Sequence, residues 1–222
     1  MTADGAPPSI QALAPLAVFA FVMSITPGPN NFMLLAAGAR FGLRRSWPHM
    51  LGITGGFLGL LLVAQLGVAA VVLARPGLTT ALNIGCAVYL CYLGWGLLQS
   101  ASAPAPRSAD DVDAQDSTPA SAQRPLRGLE AAAFQFANPK AWGMAIGAVS
   151  IVAESKAGPV ARAAVLLGVC GAINLPCILV WTLFGAALRR WLGTPWIRLA
   201  FHALMAALLA ATALWMMRPV WT

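Results

Sequence analysis

The sequence T-P-G-P-N-N at residues 26–31 lies inside a charge-free run that extends from Gly5 to Ala39. Its two prolines remove backbone donors, and together with the glycine between them they break a helix. The apolar residues around it are nevertheless long enough to cross a bilayer. Backbone groups freed inside a membrane are tolerated only where protein buries them or where they line a cavity. The stretch at 26–31 is therefore a candidate solute-binding site.

Composition places the chain among membrane proteins. Of its 222 residues, 59% are hydrophobic and only 9% are charged, which is far from the averages of soluble domains. A net charge of +7 would also suit a nucleic-acid-binding protein, but the Lys and Arg residues form short clusters between apolar runs. That distribution is typical of topology signals and not of a phosphate-binding surface, so we expect no nucleic-acid partner.

Six apolar segments are predicted to span the lipid bilayer, roughly at residues 10–39, 47–74, 79–99, 131–153, 163–188 and 198–217. The stretch between the third and fourth has too few large apolar residues to offset its ordering entropy. We therefore predict an N-terminal three-helix repeat at 1–99, a flexible cytoplasmic linker at 100–126 and a C-terminal three-helix repeat at 127–222. The aspartates at 110–116 are interpreted as a solvated charge run.

The fourth span contains a second interruption, at Asn138, Pro139 and Lys140. The segment from Ala141 to Ala153 reaches only about 20 Å as a helix and cannot cross alone. If residues 131–153 form one span, Lys140 lies near its middle, and an ionisable group there indicates a functional site. The alternative is that Pro139 begins the helix and Lys140 extends its amine to the membrane interface.

Basic residues between the spans predict the orientation. The first, third and fifth loops carry nine Arg residues, against four Lys or Arg residues on the other side. These loops are therefore predicted to be cytoplasmic and both termini periplasmic. Three spans on each side of the linker would make the second half an inverted copy of the first. The breaks at Asn30 and Asn138 both lie about 12–15 Å inside the membrane, which predicts a shared site near the midplane.

Other notable side chains are given structural interpretations. Glycines on one face of the second span predict close helix contact, or else a cavity wall, at positions 52, 55, 56 and 59. The four cysteines lie in apolar runs without metal-ligand spacing, so we expect buried thiols and no metal site. His49 and His202 are near the starts of spans and are predicted to be interfacial, without a functional role.

At these motifs the sequence resembles the LysE/RhtB family of amino-acid exporters. The matching motifs are T-P-G-P-N-N at 26–31, A-R-F-G at 39–42, G-I-T-G-G-F at 52–57, Y-L-C-Y-L-G-W at 89–95, Q-F-A-N-P-K-A at 135–141 and N-L-P at 174–176. The resemblance implies a small bacterial inner-membrane protein that exports amino acids or close derivatives against protons, and no cofactor is expected.

Within that family, the P-G-P-N-N and Q-F-x-N pattern looks closest to exporters of cysteine and O-acetylserine. Many relatives carry an acidic residue after a glycine in the second span, where this chain reads G-G-F at 55–57. That difference disfavours a carboxylate proton relay and a strongly cationic substrate such as lysine. A neutral substrate, of thiol or hydroxyl type, is therefore favoured.

We hypothesise that a zwitterionic substrate binds between the two breaks, since both of its charged groups need partners once they leave water. Lys140 and the helix N-terminus at Pro139 would face the carboxylate. Backbone carbonyls at 27–29 and nearby amides would accept the ammonium. The predicted substrate-binding residues are Pro27, Gly28, Pro29, Asn30, Asn31, Asn138, Pro139, Lys140 and Asn174. Lys140 is also predicted to carry the coupling proton, and Gly28 to act as a hinge for alternating access.

Two other function classes stay open. An uncoupled channel or facilitator could use the same polar breaks as a constriction, and its flux would not saturate. A membrane enzyme would need a nucleophile with a base, or a metal cluster, and the single histidines, scattered cysteines and carboxylate-free spans offer neither. Assembly as a homodimer is likewise left open.

Overall fold

The structure is a computed structural model, and it describes residues 10–68, 74–101, 126–153, 155 and 157–221. Most of those residues are helical, and none of them is in a strand. The helices are α1 (Ile10–Ile25), α2 (Pro29–Gln65), α3 (Pro76–Ala101), α4 (Gly128–Ala137), α5 (Pro139–Ala153), α6 (Pro159–Leu188), a short 3-10 turn (Arg189–Trp191) and α7 (Pro195–Trp221). The predicted linker at 100–126 lies almost entirely outside the described residues, as does the N-terminal segment.

Several of these helices are suited to a membrane. Four runs are long and apolar enough to cross one: Pro29–Gln65, Pro76–Gln99, Pro159–Trp191 and Pro195–Trp215. Two shorter apolar helices, at Leu13–Ile25 and Pro139–Ala153, adjoin the helix breaks. The prediction of an all-α membrane protein is thereby confirmed, whereas six spans in two inverted repeats stay a prediction.

A sharp bend at Gly42 divides α2 into two arms. Gly42 has a φ of 76° and a ψ of 173°, a conformation that favours glycine. Gly38 on the first arm packs against the backbone of Thr182, and Met50 on the second arm accepts a 3.2 Å hydrogen bond from the Thr182 hydroxyl. In a straight helix Gly38 and Met50 would be about 18 Å apart. The second arm therefore folds back beside the first.

The glycine face of the second arm lets α4 approach closely. A Cβ atom added at Gly52 would overlap the carbonyl oxygen of Gly128, and one added at Gly56 would lie 2.6 Å from the Cα of Ala132. Gly55 has no such neighbour within 4 Å. The predicted close helix contact is therefore confirmed at Gly52 and Gly56, and it does not involve Gly55.

Two apolar clusters lie on either side of the helix breaks. One contains Leu34, Leu90 and Leu209 and joins the first arm of α2 to α3 and α7. The other contains Leu16 and Leu60 and joins α1, the second arm of α2, α5 and α6. Between membrane helices such contacts stabilise through close packing. Because α1 and α5 share a cluster, the breaks at the end of α1 and the start of α5 are held side by side.

Burial differs from expectation at some single side chains. His49 and His202 are buried within the protein, with exposures of 1% and 3%, and their location at the membrane interface stays a prediction. The start of α4 approaches next to His49, since a Cβ atom at Gly128 would lie 3.2 Å from the carbonyl oxygen of the preceding residue, Pro48. Cys91 is exposed, while the other three cysteines are buried as expected. Within the described ranges, no group of three His, Cys, Asp or Glu residues could hold a metal ion.

Gly52→Ala is expected to destabilise the fold, because the new Cβ would overlap Gly128 and push α4 away. Overpacking of this kind typically costs about 1–3 kcal/mol. The measurement is the thermal unfolding midpoint of the detergent-solubilised protein. Gly55→Ala is the matched control, since the same change on the same helix meets no neighbour and should leave the midpoint unchanged or raised. An equal fall in both variants would contradict the close helix contact.

Candidate functional site

The first break, between α1 and α2, consists of residues 26–28. Pro27 and Pro29 lack the N–H groups that would otherwise pair with carbonyls in the last turn of α1. In an apolar environment each of those carbonyls needs another donor. The donors come from side chains in the break itself and from side chains far away in the sequence.

Side chains within and next to the first break donate to some of its free carbonyls. The Thr26 hydroxyl donates to the Met23 carbonyl at 3.1 Å. The Asn31 amide nitrogen donates to the carbonyls of Ser24 and Thr26, at 2.9 and 2.7 Å. Asn31 was predicted to bind substrate, but both hydrogens of its amide are used within the break.

Distant side chains satisfy the remaining carbonyls of the first break. The Trp181 ring nitrogen, on α6, donates to the Ile25 carbonyl at 3.0 Å. The Lys140 ammonium, at the start of α5, lies 2.8 Å from the Thr26 carbonyl, 3.1 Å from the Thr26 hydroxyl and 3.2 Å from the Pro27 carbonyl. Each carbonyl from residue 23 to residue 27 therefore has a donor, and Lys140 links α5 to the end of α1.

Gly28 makes room for this lysine. A Cβ atom at position 28 would lie 2.9 Å from Cδ of Lys140 and 3.0 Å from its Nζ, which is tighter than ordinary Cβ contacts. The end of the lysine side chain would have to shift to accommodate a side chain at this position. The hinge role of Gly28 stays a prediction, and its absent side chain leaves space for Lys140.

The second break is the single residue Asn138, between α4 and α5. Its side-chain oxygen accepts a hydrogen bond from the backbone N–H of Lys140 at 3.0 Å. Its carbonyl accepts from the N–H groups of Ala141 and Trp142, at 3.0 and 3.2 Å. Asn138 thus caps α5. The first N–H groups of α5 are paired within the protein, contrary to the expectation that they stand open to a carboxylate.

Gln135 on α4 forms a second link between the breaks. The Asn30 amide nitrogen donates to the Gln135 side-chain oxygen at 2.9 Å, and the Gln135 nitrogen donates back to the Asn30 oxygen at 3.3 Å. The same nitrogen also donates to the Ala131 carbonyl at 3.0 Å. Gln135 is fully buried. This amide pair joins positions that are 105 residues apart in the sequence.

Asn174 connects α6 to the same region. Its amide nitrogen donates to the Ser24 hydroxyl at 3.2 Å, and its oxygen accepts from the Thr54 hydroxyl at 3.3 Å. Asn174 therefore joins α6 both to the end of α1 and to the second arm of α2.

Two cavities adjoin Lys140. The polar pocket has a volume of about 20 Å³, which is room for about one water, and its polar lining is Ser24, Asn30, Asn31, Asn138, Lys140 and Asn174. The apolar cavity has a volume of about 640 Å³. Its walls include Met23, Pro27, Pro29, Phe32, Pro139, Leu208, Ala211 and Trp215. All nine predicted substrate-binding residues line one cavity or the other.

Some residues of this region were absent from the predicted site. Gln135 had a detectable signal, since an amide inside an apolar span must find a partner. The face of α7 at residues 208–215 had no detectable signal in the sequence. Its polar residue, Thr212, donates to the Leu208 carbonyl of its own helix at 2.7 Å and so needs no partner elsewhere. Trp181 was likewise not distinguishable from other aromatic residues of apolar spans.

Comparisons with known proteins show which family the chain is similar to. The model of the LysE type translocator family matches residues 21–218. An uncharacterized membrane protein of Pseudomonas aeruginosa is 38% identical over 77 residues, which cover 35% of this chain and 36% of that protein. A cysteine/O-acetylserine efflux protein of Escherichia coli is 25% identical over 175 residues, which cover 78% of this chain and 81% of that protein. A protein of the same name from Klebsiella pneumoniae is 29% identical over 94 residues, or 42% and 48% of the two chains. No solved structure matches the chain.

The amide pair predicts an energetic coupling between Asn30 and Gln135. Either Ala replacement alone already leaves the other amide without its partner. The effects of Asn30→Ala and Gln135→Ala on the unfolding free energy should therefore be non-additive by about 0.5–3 kcal/mol in a double-mutant cycle. The control cycle combines Gln135→Ala with Ser150→Ala, since the Ser150 hydroxyl donates to Ile146 of its own helix. That pair should be additive. Additivity of Asn30→Ala and Gln135→Ala would contradict the link.

Proposed function

The chain belongs to the LysE type translocator family, and on that premise we propose that it is a secondary transporter that exports amino acids or close derivatives across the bacterial inner membrane. Family membership makes it a translocator and not an enzyme. The relatives named as cysteine/O-acetylserine efflux proteins support an amino-acid substrate. The glycine and phenylalanine at 56 and 57, in the place of an acidic residue, support a neutral one.

The observation that carries this proposal is the position of the Lys140 ammonium between the two breaks. It lies 2.8 Å from the Thr26 carbonyl and 3.2 Å from that of Pro27, and both of these partners are neutral oxygens. An ionisable side chain inside an apolar span is energetically costly and is a marker of substrate or ion pathways. The lysine also lines both the polar pocket and the apolar cavity.

Substrate binding is proposed to proceed by an exchange of ammonium groups. The substrate ammonium takes the place of Lys140 on the carbonyls of Thr26 and Pro27, and Lys140 turns to pair with the substrate carboxylate. Hydrogen bonds to charged groups contribute about 1.5–3 kcal/mol, and here one ammonium replaces another on the same oxygens. The exchange is therefore nearly neutral at the carbonyls, and the hydrogen bond from Lys140 to the substrate carboxylate favours the bound state. The amides of Asn30, Asn138 and Asn174 would complete the polar surroundings.

Transport is proposed to proceed by alternating access. Residues 1–99 and 127–222 would form two inverted three-helix repeats that rock about the shared site, with both termini periplasmic. The Lys140 and Gln135 links join α1 and α2 to α4 and α5, so they are the contacts that such a motion would break and form again. Gly28 is the proposed hinge, since it lies between α1 and α2.

Lys140 is also proposed to carry the coupling proton. After the substrate leaves to the periplasm, Lys140 takes up a proton there and returns to the carbonyls of the first break, so the empty carrier brings that proton inward. On the cytoplasmic side the incoming substrate ammonium displaces Lys140 from the carbonyls, and the lysine releases its proton to the cytoplasm and donates to the substrate carboxylate as a neutral amine. One proton would then move inward for each substrate that moves outward.

Proteoliposomes preloaded with neutral amino acids should show saturable counterflow of a labelled amino acid. Asn30→Ala should raise the half-saturation concentration about tenfold, the equivalent of one lost hydrogen bond at the site. Ser150→Ala should leave it unchanged. Flux that increases linearly with concentration would indicate a channel, and the absence of flux for every amino acid tested would refute the proposed function.

Lys140→Gln tests proton coupling. The amide can still donate to the Thr26 carbonyl but does not titrate, so counterflow should persist with weaker affinity while acceleration by an imposed pH gradient disappears. Arg162→Gln is the control, since this cation lies at the start of α6 and donates to the Ala157 carbonyl at 2.7 Å. A Lys140→Gln protein that responds to the gradient as the wild type does would exclude Lys140 as the proton carrier.

A further inference from the structure

The charged groups of an amino-acid substrate would occupy the end of the apolar cavity that is formed by Thr26, Pro27 and Lys140, beside the polar pocket, and they leave the rest of the apolar cavity without a role. We infer that the apolar cavity binds the substrate's side chain, and that the preferred substrates are α-amino acids with bulky apolar side chains. This inference rests on the proposed function and specifies its substrate class. It departs from the thiol or hydroxyl type that the sequence resemblance favours, because the resemblance does not reveal the apolar cavity.

The two cavities meet at Lys140. Gly28, Asn138 and Lys140 line both the polar pocket and the apolar cavity. A substrate whose ammonium and carboxylate are held at Lys140 must therefore direct its side chain into one of the two. The polar pocket, at about 20 Å³, has room for about one water. The side chain therefore enters the apolar cavity.

The walls of the apolar cavity select by polarity. They are formed by Met23, Phe32, Leu208, Ala211 and Trp215 together with three prolines. The hydroxyl of Thr212, which also lines the cavity, already donates within its helix. A charged or amide side chain would lose water there without gaining a partner. An aliphatic or aromatic side chain loses nothing and gains contacts.

The volume of the apolar cavity selects by size. About 640 Å³ falls within the usual range of about 300–1,000 Å³ for small-molecule sites. The side chain of serine or cysteine would leave most of this wall without contacts. Each further methylene removed from water improves affinity about fourfold. Leucine, methionine and phenylalanine should therefore bind on the order of tenfold to a hundredfold more tightly than alanine or serine.

A lipid acyl chain is the rival occupant, since Trp215 at the edge of the apolar cavity is 63% exposed. The continuity of the cavity with Lys140 and the polar pocket favours an amino acid, because an acyl chain has no group to place beside an ammonium and the Asn138 amide. The two occupants also predict different effects of filling the cavity. Only an amino-acid occupant links the size of the cavity to substrate selectivity.

Ala211→Phe is the test, since it fills the apolar cavity from α7. In counterflow with wild-type protein, leucine and phenylalanine should show half-saturation concentrations at least tenfold below those of alanine and serine. In Ala211→Phe the values for leucine and phenylalanine should increase at least tenfold, and those for alanine and serine less than about threefold. Ala207→Phe is the matched control, because it makes the same change one turn earlier on α7, at an exposed residue that is not part of the cavity wall.

A second variant and a second measurement keep the test decisive if Ala211→Phe does not fold. Trp215→Ala removes one wall of the cavity and should reduce the preference for bulky substrates, again without affecting alanine. Thermal stabilisation of the detergent-purified wild type by leucine, and not by serine at the same concentration, reports binding without transport.

Saturable transport without a preference for bulky apolar side chains would overturn the inference and leave the proposed function intact. If Ala211→Phe displaces bound lipid but leaves amino-acid selectivity unchanged, the inference is likewise overturned and the proposed function stays intact. The absence of saturable transport for any amino acid would overturn the proposed function, and the inference with it.

Discussion

A carbonyl group released from a helix inside an apolar region must receive another donor, and this requirement determines how the breaks of this protein are built. Two prolines in the first break remove N–H groups that α1 would otherwise use. The replacements come from Asn31 nearby, Trp181 on α6 and Lys140 on α5. Satisfying one break therefore fixes the positions of helices from both ends of the sequence. The polar pocket is a consequence of that convergence.

The positions of the breaks could be predicted from the sequence, because proline and asparagine act on their own turn of the chain. The nine predicted residues also converge on two adjoining cavities. The partners could not be predicted. The bonds from Trp181 to Ile25 and from Gln135 to Asn30 join residues 156 and 105 positions apart, and they depend on how whole helices pack. The burial of His49 was missed for the same reason, since it depends on packing between helices: the start of α4 lies against the preceding residue, Pro48.

The arrangement is asymmetric about the first break. Towards the bend of α2, Gly38 and Gly52 let helix backbones touch, and the helices leave little space between them. Towards the C-terminal half of α7, the wall recedes and leaves the apolar cavity. Such a difference would suit one end state of the alternating-access motion proposed above. Lys140 itself lines the apolar cavity, so the side chain that links the breaks also borders the open space.

The contact between Gly28 and Lys140 also has a consequence for how such sequences can diverge. A methyl group at position 28 would already occupy the space of the lysine stem. A shorter residue at position 140 would relieve that crowding but would leave the Thr26 and Pro27 carbonyls without their ammonium. A change at position 28 is therefore tolerated only as far as the lysine stem can move aside, whereas a change at position 140 removes the ammonium altogether.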